Sequence, residues 1–155
     1  MLQRIQSIYL LFASLVLFAL FVFPLAHNIF VDGKLVNVTV TGVYEIVNGV
    51  DHQIQSFLPL TIVTVIAALI PLVLIFLFKN RKQQITISYV AILVLIGYSF
   101  WMAQTVKRVV GPITLEYKNM GIGLFLTSLS IILIIFAIKA IQRDEKLVRS
   151  TDRLR

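Results

Sequence analysis

The sequence predicts an all-α membrane protein, an antiparallel bundle of four transmembrane helices with a small extracytoplasmic antiparallel β-sheet. Four long stretches carry no charged residue, at 5–31, 52–78, 83–106 and 119–138. Each contains the roughly 20 mostly apolar residues with which a helix crosses a hydrocarbon core of about 30 Å. Hydrophobic residues make up 59% of the 155-residue chain and charged residues 14%, whereas soluble domains carry about 25% charged residues. A soluble domain of this size cannot bury four such helices, so lipid is the expected solvent.

The basic residues lie mainly on one side of this predicted arrangement. The N-terminus, the cytoplasmic loop 79–84 and the chain from 139 onward hold ten of the fourteen Lys and Arg residues. In the outer loops 27–56 and 104–119, basic and acidic residues are equal in number. Short basic loops remain in the cytoplasm, so both termini are predicted to be cytoplasmic. The formal charge of +7 then favours anionic lipid headgroups as partners and argues against nucleic acid.

The first span is predicted at 8–26, with Pro24 marking its outer end. Arg4 before an apolar run also suits a signal peptide. The run is, however, longer than the ~7–15 residues of such a segment, and it has no A-x-A-like cleavage site. A retained helix is therefore favoured.

The outer loop 27–56 carries strand signals instead of helix signals. Hydrophobic residues alternate with polar ones, which is the period of a half-covered strand, at Val36, Val38 and Val40. The pairs Asp32-Gly33 and Asn48-Gly49 are typical of tight hairpin turns, which need positive φ. Together these signals predict an outer meander of three or four antiparallel strands.

The second span, 57–78, contains Pro71, whose missing N–H is expected to bend the helix. The short loop 79–84 makes the second and third spans antiparallel neighbours. The third span is predicted at 85–103.

The outer loop 104–119 contains a short alternating run, 113–117, which is a candidate edge strand for the same sheet. The fourth span, 120–141, leads without Gly or Pro into the tail 142–155, so the helix is expected to continue into the cytoplasm. The whole chain is predicted to be one integral membrane domain.

Residues capable of chemistry are few. His27 and His52, with Asp51, could bind a metal or respond to pH, but isolated polar residues in a wet loop are the better interpretation because no ligand spacing supports a site. The chain has no cysteine, and Lys139 lies near the end of a span, where its ammonium reaches the headgroups. We therefore predict no catalytic residue, no metal site and no cofactor, and a protein that is not an enzyme.

Small and hydroxyl-bearing residues inside the spans indicate close helix packing. Thr64 and Ala68 are spaced four apart, and Gly97, Gly121 and Gly123 are further predicted points of close contact.

The tail is predicted to be an amphipathic cytoplasmic helix. Its basic residues are candidate contacts to lipid or to a partner protein, namely Arg143, Lys146, Arg149, Arg153 and Arg155. An anchor lying on anionic lipid and a docking site for a partner are both open interpretations.

The two ends of the chain resemble a known family. The opening MLQRIQSIYLL and the closing AIQRDEKLVRSTDRLR are similar to those of a bacterial domain-of-unknown-function family, number 4293, of four-span inner-membrane proteins, and the likeness covers the whole length. The resemblance implies a Bacteroidetes-type inner membrane with the outer loops in the periplasm. It implies no activity and therefore no catalytic residues.

The expected function is that of a non-catalytic accessory or assembly subunit that acts through a membrane-protein partner. A small-solute or lipid transporter is the alternative, favoured by Pro71 and by the hydroxyls inside the spans. A membrane enzyme ranks third, because no buried acid, base, thiol or metal cluster is evident.

Overall fold

The structure, a computed structural model, describes residues 3–31, 33–47, 50–111 and 119–152. Within these residues the helices are α1 (Gln3–Phe18), α2 (Leu58–Phe76), α3 (Arg81–Val110) and α4 (Gly123–Asp152), and the strands are β1 (Ala26–Val31), β2 (Lys34–Val38), β3 (Gly42–Val47) and β4 (Val50–Ser56). Short 3₁₀ turns extend α1 over Ala19–Phe21 and α2 over Leu77–Lys79. The chain is mostly helical, and in sequence the sheet precedes the three longest helices.

The helices pack in a ring, in which α1 contacts α2 and α4, and α3 contacts the same two helices. Neighbours run antiparallel. Tyr98, in the second half of α3, bonds to Thr64, near the start of α2, whereas Gln84 at the start of α3 bonds to Leu74 near the end of α2. The predicted antiparallel relation of the second and third spans is therefore confirmed.

The outer surface of the helices is apolar, the reverse of a soluble protein. Three helical segments are long and apolar enough to cross a membrane, namely Leu58–Phe76, Arg81–Val110 and Gly123–Leu147. Within the most apolar 18 residues of each segment, at most 39% is buried. Large hydrophobic side chains are exposed along them, among them Ile62, Phe76, Leu93, Phe100 and Phe125. Contiguous apolar surface of this extent is unfavourable in water, so these three helices are suited to lipid. The remaining apolar helix, Ile5–Phe21, is shorter.

The strands form one antiparallel sheet in the order β1-β2-β3-β4, which confirms the predicted meander in its four-stranded form. The alternating residues Val36, Val38 and Val40 are all buried, as their period predicted. At the first turn Gly33 has a φ of 79°, the left-handed region that a tight hairpin turn uses. Asp32 and the second predicted turn, Asn48-Gly49, lie outside the described residues.

The sheet packs on the far end of α3. This helix has 30 residues, a length of about 45 Å, so it extends beyond a hydrocarbon core of roughly 30 Å. Its last turns bury Val106 and Val110 in the same apolar cluster as Ile29 and Val36. The sheet thus covers apolar side chains that α3 carries past the end of its charge-free stretch.

The start of α4 is tied to the segment between α1 and β1. The Gly121 N–H donates to the Leu25 carbonyl at 2.9 Å, and the Gly123 N–H donates to the Pro24 carbonyl at 3.1 Å. A single bridge also pairs Ala26 with Met120. Backbone hydrogen bonds therefore join the start of α4 to the segment that leads into β1.

One predicted helix end was wrong, and another helix extends beyond its predicted span. The first helix, with its 3₁₀ turn, ends at Phe21 and not at 26, because Ala26 is recruited into β1, where it pairs with Val38. The third helix continues past 103 to Val110, and it stops where Gly111 adopts a φ of 66°.

Three further predictions concern the tail, the bend at Pro71 and the candidate edge strand 113–117. The tail continues α4 as far as Asp152, as the absence of Gly and Pro predicted. Pro71 is buried inside one continuous helix, and the bend expected there stays a prediction. The candidate edge strand 113–117 lies outside the described residues.

Candidate functional site

Polar side chains lie between the helices and bond to backbone carbonyls. The Ser14 hydroxyl of α1 donates to the Ala68 carbonyl of α2 at 2.7 Å, and the Ser130 hydroxyl of α4 donates to the Ala13 carbonyl of α1 at 3.1 Å. Both serines are buried. These two bonds fasten α1 to each of its neighbours, which is the packing role that the sequence predicted for hydroxyls.

A second polar contact joins α2 to α3. The hydroxyls of Thr64 and Tyr98 lie 2.6 Å apart, and the Thr64 hydroxyl also lies 2.7 Å from the Leu60 carbonyl. Both side chains are buried. Tyr98 is therefore an interior residue of α3.

Two buried glutamines lie at the end of the helices opposite the sheet. Gln84 donates from Nε2 to the Leu74 carbonyl at 2.8 Å. Among the described residues, neither Gln84 Oε1 nor Gln6 Oε1 has a hydrogen-bond partner, although both atoms are buried. Sequence analysis missed both residues, because glutamine near a span end also suits an exposed interfacial position.

The basic residues singled out in the tail lie at this same end. Arg143 and Lys146 are exposed on α4, and Arg81 at the start of α3 donates from Nη1 to the Asp144 carbonyl at 3.4 Å. The Arg149 side chain lies outside the described part of the chain, and so do Arg153 and Arg155 as whole residues.

A groove of about 330 Å³ runs between the first turns of α1 and the C-terminal half of α4. Tyr9 and Phe136 line the groove from its two helices, with ring centroids 5.9 Å apart and planes tilted by 51°. The lining combines apolar and charged side chains: Ile5, Tyr9, Phe136, Lys139, Ala140, Arg143 and Asp144. The groove was not predicted, because its two walls come from opposite ends of the sequence.

At the other end of the molecule, β4 is the most exposed strand. All seven of its residues are exposed, and among the described strands β3 alone is its neighbour in the sheet. Beside it, Lys34 Nζ and Glu45 Oε2 form an exposed ion pair at 3.1 Å.

The two histidines lie far apart. His27 is in β1 and His52 in β4, which are the opposite edges of the sheet, about 14 Å apart at three strand spacings. The metal or pH site considered for His27, Asp51 and His52 is therefore not assembled. Over the described ranges, no three His, Asp or Glu side chains group as metal ligands would.

Long apolar helices with a lipid-suited exterior and a hydrogen-bonded polar interior define the class: a helical membrane protein with a small antiparallel sheet. The family model described as "Domain of unknown function (DUF4293)" matches residues 2–154. The chain therefore belongs to the DUF4293 family, as the resemblance of its two ends predicted. The search of curated proteins and the search of solved structures give no match.

Proposed function

We propose that the protein is a non-catalytic accessory or assembly subunit of a bacterial inner membrane, which binds a partner protein through the open edge of β4. The observation that carries the proposal is the edge itself. β4 pairs on one side with β3, and within the described residues no strand or bridge pairs with its other side.

The proposed setting is a four-helix bundle that crosses the membrane four times, with both termini in the cytoplasm and the sheet in the periplasm. Three helices have the required length and apolar character. Support for α1 as the fourth span comes from its antiparallel packing: Ser130 meets Ala13 and Phe136 meets Tyr9, so α4 runs towards the N-terminal end of α1. The basic residues at that end favour a cytoplasmic location.

An open strand edge presents unpaired N–H and C=O groups that can pair with an extended segment of another chain. Natural edges are usually protected by lysine, proline or a bulge. In β4 the sequence VDHQIQS has neither lysine nor proline. Its register shifts near Ile54, whereas the pairing from Val50 to Gln53 is regular. The segment Val50–Gln53 is thus the part of the edge best suited to strand addition.

The opposite edge of the sheet is less available. At β1 the bridge between Ala26 and Met120 occupies part of the edge, and the pairing of β1 with β2 is irregular between Ala26 and Ile29. The partner is therefore proposed to bind β4, as one extended periplasmic segment.

The test is site-specific photocrosslinking in native membranes. A photoreactive residue in place of Asp51 or of Gln53 is expected to crosslink to the same partner protein from both positions. The same photoreactive residue in place of Lys107, which is exposed at the sheet end of α3, serves as the control. An Asp51→Lys substitution replaces the negative charge on the edge by lysine, the residue that protects natural edges most often, and is expected to reduce the adduct formed from position 53.

Two results would count against this function. One is the lack of any adduct from the β4 positions, and the other is an adduct of equal yield from Lys107.

The basic tail is proposed to lie on anionic headgroups, to which each juxtamembrane Lys or Arg adds on the order of 1 kcal/mol. Support comes from the exposed positions of Arg143 and Lys146 on a helix that continues beyond its apolar segment. A peptide of residues 142–155 is expected to bind anionic vesicles more tightly than neutral ones, and equal binding to both would contradict the assignment.

A further inference from the structure

The groove between α1 and α4 changes from apolar to charged along its length. Phe136 lies nearest the middle of α4, followed towards the C-terminus by Lys139, Arg143 and Asp144. Phe136, Lys139 and Arg143 are spaced three and four apart, so they lie on one face of the helix. In a membrane, this face passes from the acyl-chain region into the layer of lipid phosphates.

The groove opens towards lipid. Ile5 and Phe136 are 44% and 46% exposed, and both belong to the apolar exterior of their helices. Its volume of about 330 Å³ lies at the lower end of the roughly 300–1,000 Å³ of small-molecule sites. The space suits a headgroup together with the first part of an acyl chain.

The charges that line the groove are two cations and one anion. Lys139 and Arg143 are exposed, whereas Asp144 is 7% exposed. Among the described side chains, no basic group forms an ion pair with the Asp144 carboxylate. The guanidinium of Arg81 lies nearby, but it donates to the backbone carbonyl of Asp144 at 3.4 Å. A buried carboxylate is costly unless a donor or a cation meets it.

We infer that this groove binds an aminophospholipid whose headgroup carries both a phosphate and a primary ammonium, that is, phosphatidylethanolamine. The phosphate lies between Lys139 and Arg143, the ammonium donates to the Asp144 carboxylate, and the acyl region packs on Ile5, Tyr9 and Phe136. Each lining charge then meets an opposite charge. The inference needs α4 to lie in a bilayer, and it does not depend on partner binding at β4.

Other headgroups match this lining less well. A phosphatidylglycerol headgroup supplies the phosphate, but it offers only neutral hydroxyls to Asp144. A phosphatidylcholine headgroup supplies the phosphate and a cation, but its quaternary ammonium has no N–H to donate. The order of affinity expected from the lining is therefore phosphatidylethanolamine first, with the other two weaker.

The test is native mass spectrometry of the full chain, freed of lipid in mild detergent and titrated with each of the three lipids. Phosphatidylethanolamine is expected to bind about tenfold more tightly than phosphatidylcholine, the factor that corresponds to about 1.4 kcal/mol. The double substitution Lys139→Gln with Arg143→Gln is expected to weaken the binding of all three lipids. Asp144→Asn is expected to remove the preference for phosphatidylethanolamine over phosphatidylcholine.

Lys107→Gln is the control, because it removes one exposed positive charge outside the groove and outside the basic tail. It is expected to leave the affinities unchanged, and circular dichroism establishes that every variant is folded. Equal affinity for the three lipids, or a stronger affinity for phosphatidylglycerol, would overturn the headgroup assignment. An equal effect of the Lys107→Gln control and the double substitution would overturn the site.

Discussion

At the scale of residues, the interior of the helices is held together by a few hydroxyl contacts in an apolar setting. Ser14, Thr64 and Ser130 each lie within hydrogen-bond distance of a backbone carbonyl, and Tyr98 adds a side-chain contact to Thr64. In lipid, dispersion and such bonds replace the hydrophobic effect as the source of helix association. Single hydroxyls therefore have measurable but small effects.

Tyr98→Phe is expected to lower the free energy of unfolding by about 0.6 kcal/mol, the average measured for hydrogen bonds between membrane helices, and by no more than about 1.7 kcal/mol. Thr64 can still donate to the Leu60 carbonyl, and the ring still fills its space, so the change isolates one bond. The measurement is unfolding in mixed micelles of mild detergent and dodecyl sulfate.

Tyr89→Phe is the control for this substitution. Tyr89 is exposed, and its hydroxyl accepts a long bond of 3.4 Å from Gln142. Its loss is expected to change stability by less than that of Tyr98, and a larger effect at Tyr89 would contradict the interior role assigned to Tyr98.

At the scale of elements, backbone segments approach closely where α4 begins against the chain that follows the first helical segment. Gly121 and Gly123 approach the chain at Pro24 and Leu25, as the sequence predicted for these glycines. A Cβ added at Gly121 would collide with the Pro24 carbonyl. Gly97, also predicted as a point of close contact, has no atom within 4 Å of such a Cβ, so that prediction was wrong.

Gly121→Ala is expected to destabilise the protein by about 1–3 kcal/mol, the usual cost of overpacking, because backbone atoms must move. Gly97→Ala is the matched control. Inside helix α3 it removes the cost of a helical glycine and meets open space, so it is expected to be neutral or mildly stabilising in detergent. Thermal unfolding of both variants measures the difference, and equal melting temperatures would contradict the close approach at Gly121.

The sequence predicted most elements but placed some of their ends wrongly. The valine alternation at Val36, Val38 and Val40 identified a strand, because period two differs from any helix pattern. The end of the first helix was missed, since the apolar residues after Phe21 suit a helix as well as the start of β1. The end of α3 was missed because hydropathy follows the membrane core, whereas Val106 and Val110 belong to the contact with the sheet.

The candidate sites were harder to predict than the elements. The basic face of α4 could be read from the spacing of Lys139 and Arg143. The groove required Ile5 and Tyr9 to meet this face, which is a tertiary contact between the two ends of the chain. The position of β4 at one edge of the described strands depended on strand order, which local sequence does not determine.

At the scale of the whole molecule, the two ends of the helices differ both in fold and in charge. The sheet and the start of α4 lie at one end, whereas Arg81, Arg143 and Lys146 lie at the other. A hydrophobic region separates the two ends, and the absence of cysteine from the sequence makes single-cysteine labelling straightforward.

Lys107→Cys is expected to react with a membrane-impermeant maleimide in intact spheroplasts, whereas Lys82→Cys and Lys146→Cys are expected to react only after permeabilisation. All three side chains are exposed, so accessibility depends on the side of the membrane alone. Labelling of Lys146→Cys in sealed cells would reverse the proposed orientation.

The short first helix has a consequence for the surrounding lipid. As a fourth span, Ile5–Phe21 would be about 25 Å long, less than the roughly 30 Å of an average bilayer core. The exposed side chains of Val22 and Phe23 extend its apolar surface only slightly, whereas α3 on the far side of the ring is longer than the core. The protein would therefore impose a thickness gradient on its lipid annulus, thinnest beside α1, and collect shorter acyl chains there.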